Sequence, residues 1–144
     1  MNQHLSDEEL LRYSRQILLV HVDIDGQLKL KNSRVLIVVL GGLGSPVALY
    51  LAAAGVGELH LADFDRVDLS NLQRQIAHDT SSLGQPKVES AAKRLRAINP
   101  AIQLQLYPAG LDADSLSAAV AGGDLGVDWS DNIGPRDAVN AWLL

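Results

Sequence analysis

Residues 34 to 65, RVLIVVLGGLGSPVALYLAAAGVGELHLADFD, constrain this chain more than any other stretch. Val35 to Leu40 is an unbroken apolar run of Val, Ile and Leu, the composition of a strand buried on both faces of a parallel sheet. Gly41, Gly42 and Gly44 follow, and they let the backbone turn tightly and approach a ligand where a Cβ would obstruct it. Ser45 suits the N-cap and Pro46 the first position of a helix that runs to about Ala54, where Gly55 and Gly57 close it. Leu59 to Ala62 reads as a second strand. Asp63 stands about 19 residues after Gly44, near the spacing at which a βαβ unit presents an acid to a ribose hydroxyl. The unit predicts a nucleotide site.

Two other readings compete with it. Positions 35 to 57 carry no charge, a length sufficient for a membrane helix, but the glycines, Pro46 and a helix start in the middle divide the span into two short elements. The glycine turn also serves, in many chains, only to join strand to helix. The G-x-G-x-x-G fingerprint would set its first glycine at position 39, where this chain has Val39.

Hydrophobic residues make up 47% of the 144 and charged ones 20%, which suits one soluble domain with a sizeable core. Its expected organisation is an N-terminal helical segment, 1–33, and a Rossmann-like core, 34–144. The net charge of −5 leaves no basic field to recruit nucleic acid or anionic lipid. The absence of cysteine excludes disulfides, thiolate zinc sites and cysteine nucleophiles within these residues. The opening MNQHLSDEELLRYSRQ is polar and acidic where a signal peptide is basic and then apolar, so the expectation is a cytoplasmic protein with no membrane association.

Ser6 with Glu9 forms a capping box that starts a helix through about Arg15. Arg12 pairs with Glu8 one turn away, whereas Arg15 has no such partner and reads either as a surface arginine or as a functional one. DIDGQLKLK, 23 to 31, suggests a second helix. After Asp65 come about 22 residues of weak periodicity, a length that in a compact domain is functional or disordered. This stretch holds Asn71, Arg74 and Gln75 and ends in Lys87, just past the strand end where nucleotides sit in open α/β sheets. Pro86 opens a helix with Val88, Ala91, Ala92, Leu95 and Ile98 on one face and Lys93, Arg94 and Arg96 on the other; Asn99 and Pro100 stop it. Ile102 to Tyr107 alternates as a strand near a sheet edge, 112 to 120 is a further helix, and Asp124 to Trp129 a fourth strand. Ser130, Asp131 and Asn132 follow at its end, and the two acids three apart, Asp128 and Asp131, read equally as turn residues or as holders of a metal ion. The four histidines, His4, His21, His60 and His78, show no metal-ligand spacing.

Taken together, RYSRQILL (12 to 19), GGLGSP (41 to 46), DFDRVDLSNLQRQ (63 to 75), GQPKVESAAKRL (84 to 95), INP (98 to 100) and DWSDN with Arg136 and Asn140 resemble, in order, the ThiF/MoeB/HesA family, the prokaryotic relatives of ubiquitin-activating enzymes. The resemblance implies an α/β fold, a Rossmann-like, mostly parallel sheet of about four strands with flanking helices behind N-terminal helices. It implies binding of ATP with Mg²⁺ and transfer of AMP to the C-terminal glycine of a small ubiquitin-like sulfur carrier ending in Gly-Gly, in molybdopterin or thiamine biosynthesis. Gly41, Gly42 and Gly44 would approach the nucleotide, Asp63 the ribose, and Asn71, Arg74 and Lys87 the phosphates. Asp131 would hold Mg²⁺, and Arg15 would reach the partner subunit's site across a homodimer. Asp65, Gln75 and Asn132, beside these in the chain, complete the expected nucleotide-binding set, with Arg15, Arg74, Lys87 and Asp131 as the catalytic group.

Val39, Gly126 and Trp129 depart from the family's usual residues. Family members also extend well beyond this length, and the resemblance puts further strands, much of the carrier groove, the zinc-binding cysteines and any catalytic cysteine in that further part. The expectation is therefore the N-terminal ATP-binding part of the family domain, with two competing functions: a non-catalytic nucleotide-binding or interaction remnant, and an NAD-binding oxidoreductase domain.

Overall fold

In the computed structural model, residues 3–38, 40–121 and 123–128 are described. The capping box forms as expected: the Ser6 hydroxyl accepts from the Glu9 amide and the Glu9 carboxylate from the Ser6 amide. The single helix expected from it divides at Tyr13 into α1 (Asp7–Arg12) and α2 (Ser14–Ile17). The break turns Tyr13 inward, where it is 3% exposed. Helix α3 (Asp23–Lys31) coincides with the expected second helix.

Strands β1 (Arg34–Val38), β2 (Glu58–Ala62), β3 (Gln103–Tyr107) and β4 (Leu125–Asp128) form one sheet in the order β3-β2-β1-β4, every pair parallel. Helices α4 (Gly44–Ala54) and α5 (Lys87–Ile98) cover one face, and α6 (Ala113–Val120) packs on the other. The pleat assigns side chains accordingly: Val35, Ile37, Leu59 and Leu61 meet Ala48, Ala52, Val88, Ala91 and Leu95, whereas Leu36, Val38 and Ala62 meet Leu116 and Ala119. Each fully buried leucine in the larger cluster contributes about 1.5–3 kcal/mol. As the alternation predicted, β3 is an edge strand, with Gln103 and Gln105 exposed.

A buried polar network, which the sequence did not announce, fastens the N-terminal helices to the far end of α4. Gln16 Nε2 and Gln27 Nε2 both donate to the Ala54 carbonyl, each at 2.9 Å, and Asn99 Nδ2 donates to Tyr13 Oη at 2.7 Å and to the Ala52 carbonyl at 2.8 Å. Gly55 ends α4 at φ +93°, and a Cβ there would lie 2.6 Å from Gln27 Nε2 and 2.7 Å from Tyr13 Cζ. Its glycine is required both by the left-handed conformation and by the side chains packed over it.

The stretch from 66 to 86 is an ordered excursion whose two ends meet. Val67 N donates to the Gln85 carbonyl and Gly84 N to that of Val67, both at 2.9 Å, and Arg66 bridges to Pro86. Short 3₁₀ turns at Leu69–Asn71 and Thr80–Ser82 lie within it, and Val67 and Ala77 are buried beneath. Among the described residues, no helix is long and apolar enough to cross a membrane.

Candidate nucleotide site

Val38 and Ala62 are register partners at the carboxyl ends of β1 and β2, so the glycine turn leaving β1 and the acidic segment leaving β2 emerge side by side. Strand β4 pairs with the other edge of β1, and the strand order reverses there. Ligands of open α/β sheets occupy such switch points.

Leu40, the residue before the glycines, is fully buried and held by three groups. Its amide donates to Asp63 Oδ2 at 2.8 Å, and its carbonyl accepts from Ser45 Oγ at 3.1 Å and faces His78 Nε2 at 3.3 Å. Ser45 is therefore not the N-cap its position suggested. It sits inside α4, whose N-cap is Leu43, and its hydroxyl points back to the strand end. The consequence favours a ligand: with no side-chain cap, the N–H groups of Gly42, Leu43 and Gly44 have no acceptor among the described residues. Open donors at a helix N-terminus attract an anion. Among the described residues the positive-φ glycines are Gly55, Gly84 and Gly110, so the glycines of this turn serve space rather than dihedral freedom. A Cβ on Gly42 would stand 3.6 Å from Cγ and Cδ of Arg74.

That contact brings Arg74 alongside the turn from the excursion, where its guanidinium is exposed and donates to the Ser70 carbonyl at 3.1 Å. Asn71 uses its Oδ1 to accept from the Asp68 amide and leaves Nδ2 without a partner among the described residues. The Ser70 hydroxyl and amide hold the Asp68 carboxyl below the usual range; slight desolvation opposes this and Lys87 adds to it. Gln75 is buried, and its Oε1 has no hydrogen-bond partner.

Lys87 opens α5 and is only 5% exposed. Its Nζ makes no hydrogen bond among the described residues, and its ion-pair partner, Asp65 Oδ2, stands 3.8 Å away. The pair is anchored by the backbone, because Lys87 N donates to the Asp65 carbonyl at 2.9 Å. The two acids differ sharply. Asp63 is 2% exposed and both its oxygens accept backbone amides, from Leu40 and from Asp65, whereas the Asp65 side chain is about half exposed. Asp63 thus stitches the two strand ends together, and Asp65 is the accessible carboxylate.

Arg15 is exposed on α2, with no hydrogen bond or ion pair among the described residues. Its neighbour Gln16 binds the carboxyl end of α4, an 11-residue helix about 16 Å long, so Arg15 is not brought to the glycine turn of its own chain. Asp131 and Asn132, like Val39 and Trp129, lie outside the described residues. Among the described residues no cluster of three His, Asp or Glu side chains converges as a metal site.

Sequence reading missed His78, which the fold buries at the heart of the site. Its partners lie 12 and 38 residues away along the chain, so no local pattern marks it. Burial holds its pKa below the ordinary histidine value; the Leu40 carbonyl opposes this, Lys87 reinforces it, and Asp63 and Asp79 oppose it.

A four-stranded parallel sheet reversing at β1, with open helix-start amides and a buried lysine at its carboxyl edge, defines a Rossmann-like α/β domain whose site suits an anionic ligand. The chain belongs to the ThiF family, whose pattern matches residues 13–144. It is 56% identical over 137 residues to the molybdopterin-synthase adenylyltransferase of Escherichia coli, covering 95% of this chain and 55% of that protein. It is 50% identical over 137 residues to the sulfur carrier protein ThiS adenylyltransferase of the same organism, with the same coverage. The chain thus spans about half the length of these curated relatives. Among solved structures, the E. coli tRNA N6-threonylcarbamoyladenosine dehydratase TcdA in complex with ATP matches with a TM-score of 0.88 at 27% identity, over 96% of this chain and 57% of that one.

Proposed function

We propose that this chain is the nucleotide-binding part of an adenylyltransferase, which binds ATP with Mg²⁺ and transfers AMP to the C-terminal glycine of a ubiquitin-like sulfur carrier in the cytoplasm, for molybdopterin or thiamine biosynthesis. The observation that carries this reading is the nearly buried side chain of Lys87, whose ammonium makes no hydrogen bond among the described residues and has its ion-pair partner 3.8 Å away, at the sheet edge where the glycine turn opens its amides. A lysine held by one long ion pair, at the same sheet edge as open N–H donors, keeps donor capacity that an anionic ligand takes up.

The reaction asks little acid–base chemistry of the protein. The carrier's carboxylate is ionised at neutral pH, so no general base is needed. One of its oxygens bonds to the α-phosphorus of ATP while the bond to the bridging oxygen breaks, and that electron pair leaves on pyrophosphate. What remains is alignment and neutralisation of the charge moving onto the leaving group. Lys87, Arg74, Asn71 Nδ2 and the amides of 42–44 are the donors for the phosphates. Asp65 is the accessible carboxylate for the ribose, while buried Asp63 fixes the two strand ends behind it and Gln75 lies buried at the same edge. Asp131 is the carboxylate for Mg²⁺, with Asn132 beside it; a hard oxygen donor of this kind, with substrate phosphates and water, suits that ion. When bound, the ion supplies charge neutralisation at the phosphates.

A homodimer is supported by the N-terminal segment, where Leu11 and, just past α2, Leu18, Leu19 and Val20 are exposed on either side of Arg15 in the chain. This is also the arrangement in which Arg15, remote from its own glycine turn, would serve a partner's. Parallel titrations with MgATP and NAD⁺, followed by ATP–pyrophosphate exchange with a Gly-Gly-ended carrier, test the proposal. ATP binding and carrier-dependent exchange that Lys87→Ala abolishes are expected. Preference for NAD⁺, or exchange that survives the substitution, would overturn it; ATP binding without exchange would make the chain a binding module.

A further inference from the structure

His78 joins the two halves of this site. The ring is 5% exposed, with Nε2 3.3 Å from the Leu40 carbonyl and Nδ1 2.8 Å from Ser90 Oγ. A carbonyl oxygen only accepts, so Nε2 carries the hydrogen, and in the neutral ring Nδ1 then accepts from the Ser90 hydroxyl. Leu40 is the residue from which the glycine turn departs. Ser90 is buried on α5, in the same first turn as Lys87. One imidazole therefore spans from the peptide that sets the open amides to the helix that carries the ammonium. The charged groups around it are Lys87, Asp63 and Asp79, and a proton on the ring would put a second positive charge near Lys87.

We infer that His78 is a positioning residue for nucleotide binding: a neutral strut, made by the contacts Leu40 O···Nε2 and Nδ1···Ser90 Oγ, that fixes the separation between the glycine-turn amides and Lys87. Any buried imidazole needs partners for both nitrogens; what singles this one out is that they are the strand-end peptide before the glycine turn and the helix that carries Lys87. The inference rests on the nucleotide-binding reading of the site. It is distinct in its consequence: His78 touches no ligand, so its effect passes mainly through Lys87 and largely disappears when Lys87 is absent.

A double-mutant cycle tests this on the full chain, with MgATP affinity measured by calorimetry for the wild type, His78→Leu, Lys87→Met and the double variant. His78→Leu is expected to weaken binding about tenfold, and only about twofold in the Lys87→Met background. His78→Gln, whose amide N–H can still reach the Leu40 carbonyl, is expected to recover most of the loss. Independent, multiplying effects of the two substitutions, or equal loss in His78→Gln and His78→Leu, would overturn the strut. Should His78→Leu not fold, the same cycle is run with Ser90→Ala, and the wild-type ring is examined by ¹⁵N NMR, where a hydrogen on Nδ1 instead of Nε2 overturns the inference. Should the wild type bind no ATP, the nucleotide reading fails on its own. Amide exchange at 41–45 then still decides the strut: it must quicken in His78→Leu, and unchanged exchange refutes it.

Discussion

Replacing Lys87 by methionine should lower ligand affinity and leave stability nearly unchanged. Methionine keeps most of the length of the stem and removes the charge. In the folded chain the side chain is nearly buried, and its ammonium makes no hydrogen bond among the described residues and has its ion-pair partner 3.8 Å away. Asp65, left behind, is about half exposed and stays hydrated, so its loss of a partner costs little. Relief of the ammonium's desolvation and loss of the ion pair should then nearly offset each other, leaving stability within about 0.5 kcal/mol. For a chain of this length that changes the melting temperature by no more than roughly 2 °C. Affinity falls instead, because a charge-assisted contact to phosphate contributes about 1.5–3 kcal/mol, a loss on the order of 10-fold to 100-fold in Kd for MgATP. Urea unfolding followed by circular dichroism gives the first quantity and calorimetric titration the second. A variant destabilised by more than about 1 kcal/mol would show that Lys87 is a structural residue, and unchanged ATP affinity would remove it from the site.

Three further outcomes follow from the same geometry. Gly42→Val, whose branched side chain would fill the space between the turn and Arg74, is expected to lower MgATP affinity about tenfold while leaving the urea midpoint nearly unchanged. Gly55→Ala is expected to destabilise by about 3 kcal/mol in urea unfolding, combining left-handed backbone strain with displacement of Gln27 and Tyr13, while nucleotide affinity at the opposite end of α4 persists. For pH, the folded chain holds His78 below its ordinary value, so the unfolded chain takes up the proton first and stability declines as pH falls below about 6.5; His78→Gln should remove that step in urea midpoints measured across the range. A second decline belongs below about pH 4.5. Folding holds Glu9 and Glu58 low: burial alone would raise Glu9, but Lys31 and Ser6 outweigh it, and for Glu58 the His60 hydrogen bond leads, opposed by burial and aided by Arg34.

The elements legible in the sequence were those with a strong local cause. The apolar run of β1, the capping box of Ser6 and Glu9, the helix at 23 to 31 and the amphipathic stripe from Val88 to Leu95 all appear where periodicity or capping put them. Ser45 misled, because a hydroxyl beside Pro46 has the local form of an N-cap while its true acceptor is the Leu40 carbonyl, supplied by the strand end. Tyr13 misled for a related reason: helical propensity continues through it, but burial against Asn99 breaks the helix there. The excursion from 66 to 86 has little periodicity because its order comes from its ends pairing with each other.

The sequence by itself determined the parallel βαβ framework, the glycine turn and the family, since each depends on residues adjacent in the chain or on motifs in fixed order. Only the tertiary structure decided which acid is buried and which accessible, that Lys87 lies nearly buried at the strand edge, and that His78 connects Leu40 to Ser90. The physical reason is that burial and hydrogen bonding are set by groups brought together from distant parts of the chain, and no property of a residue's own neighbours encodes which groups those will be.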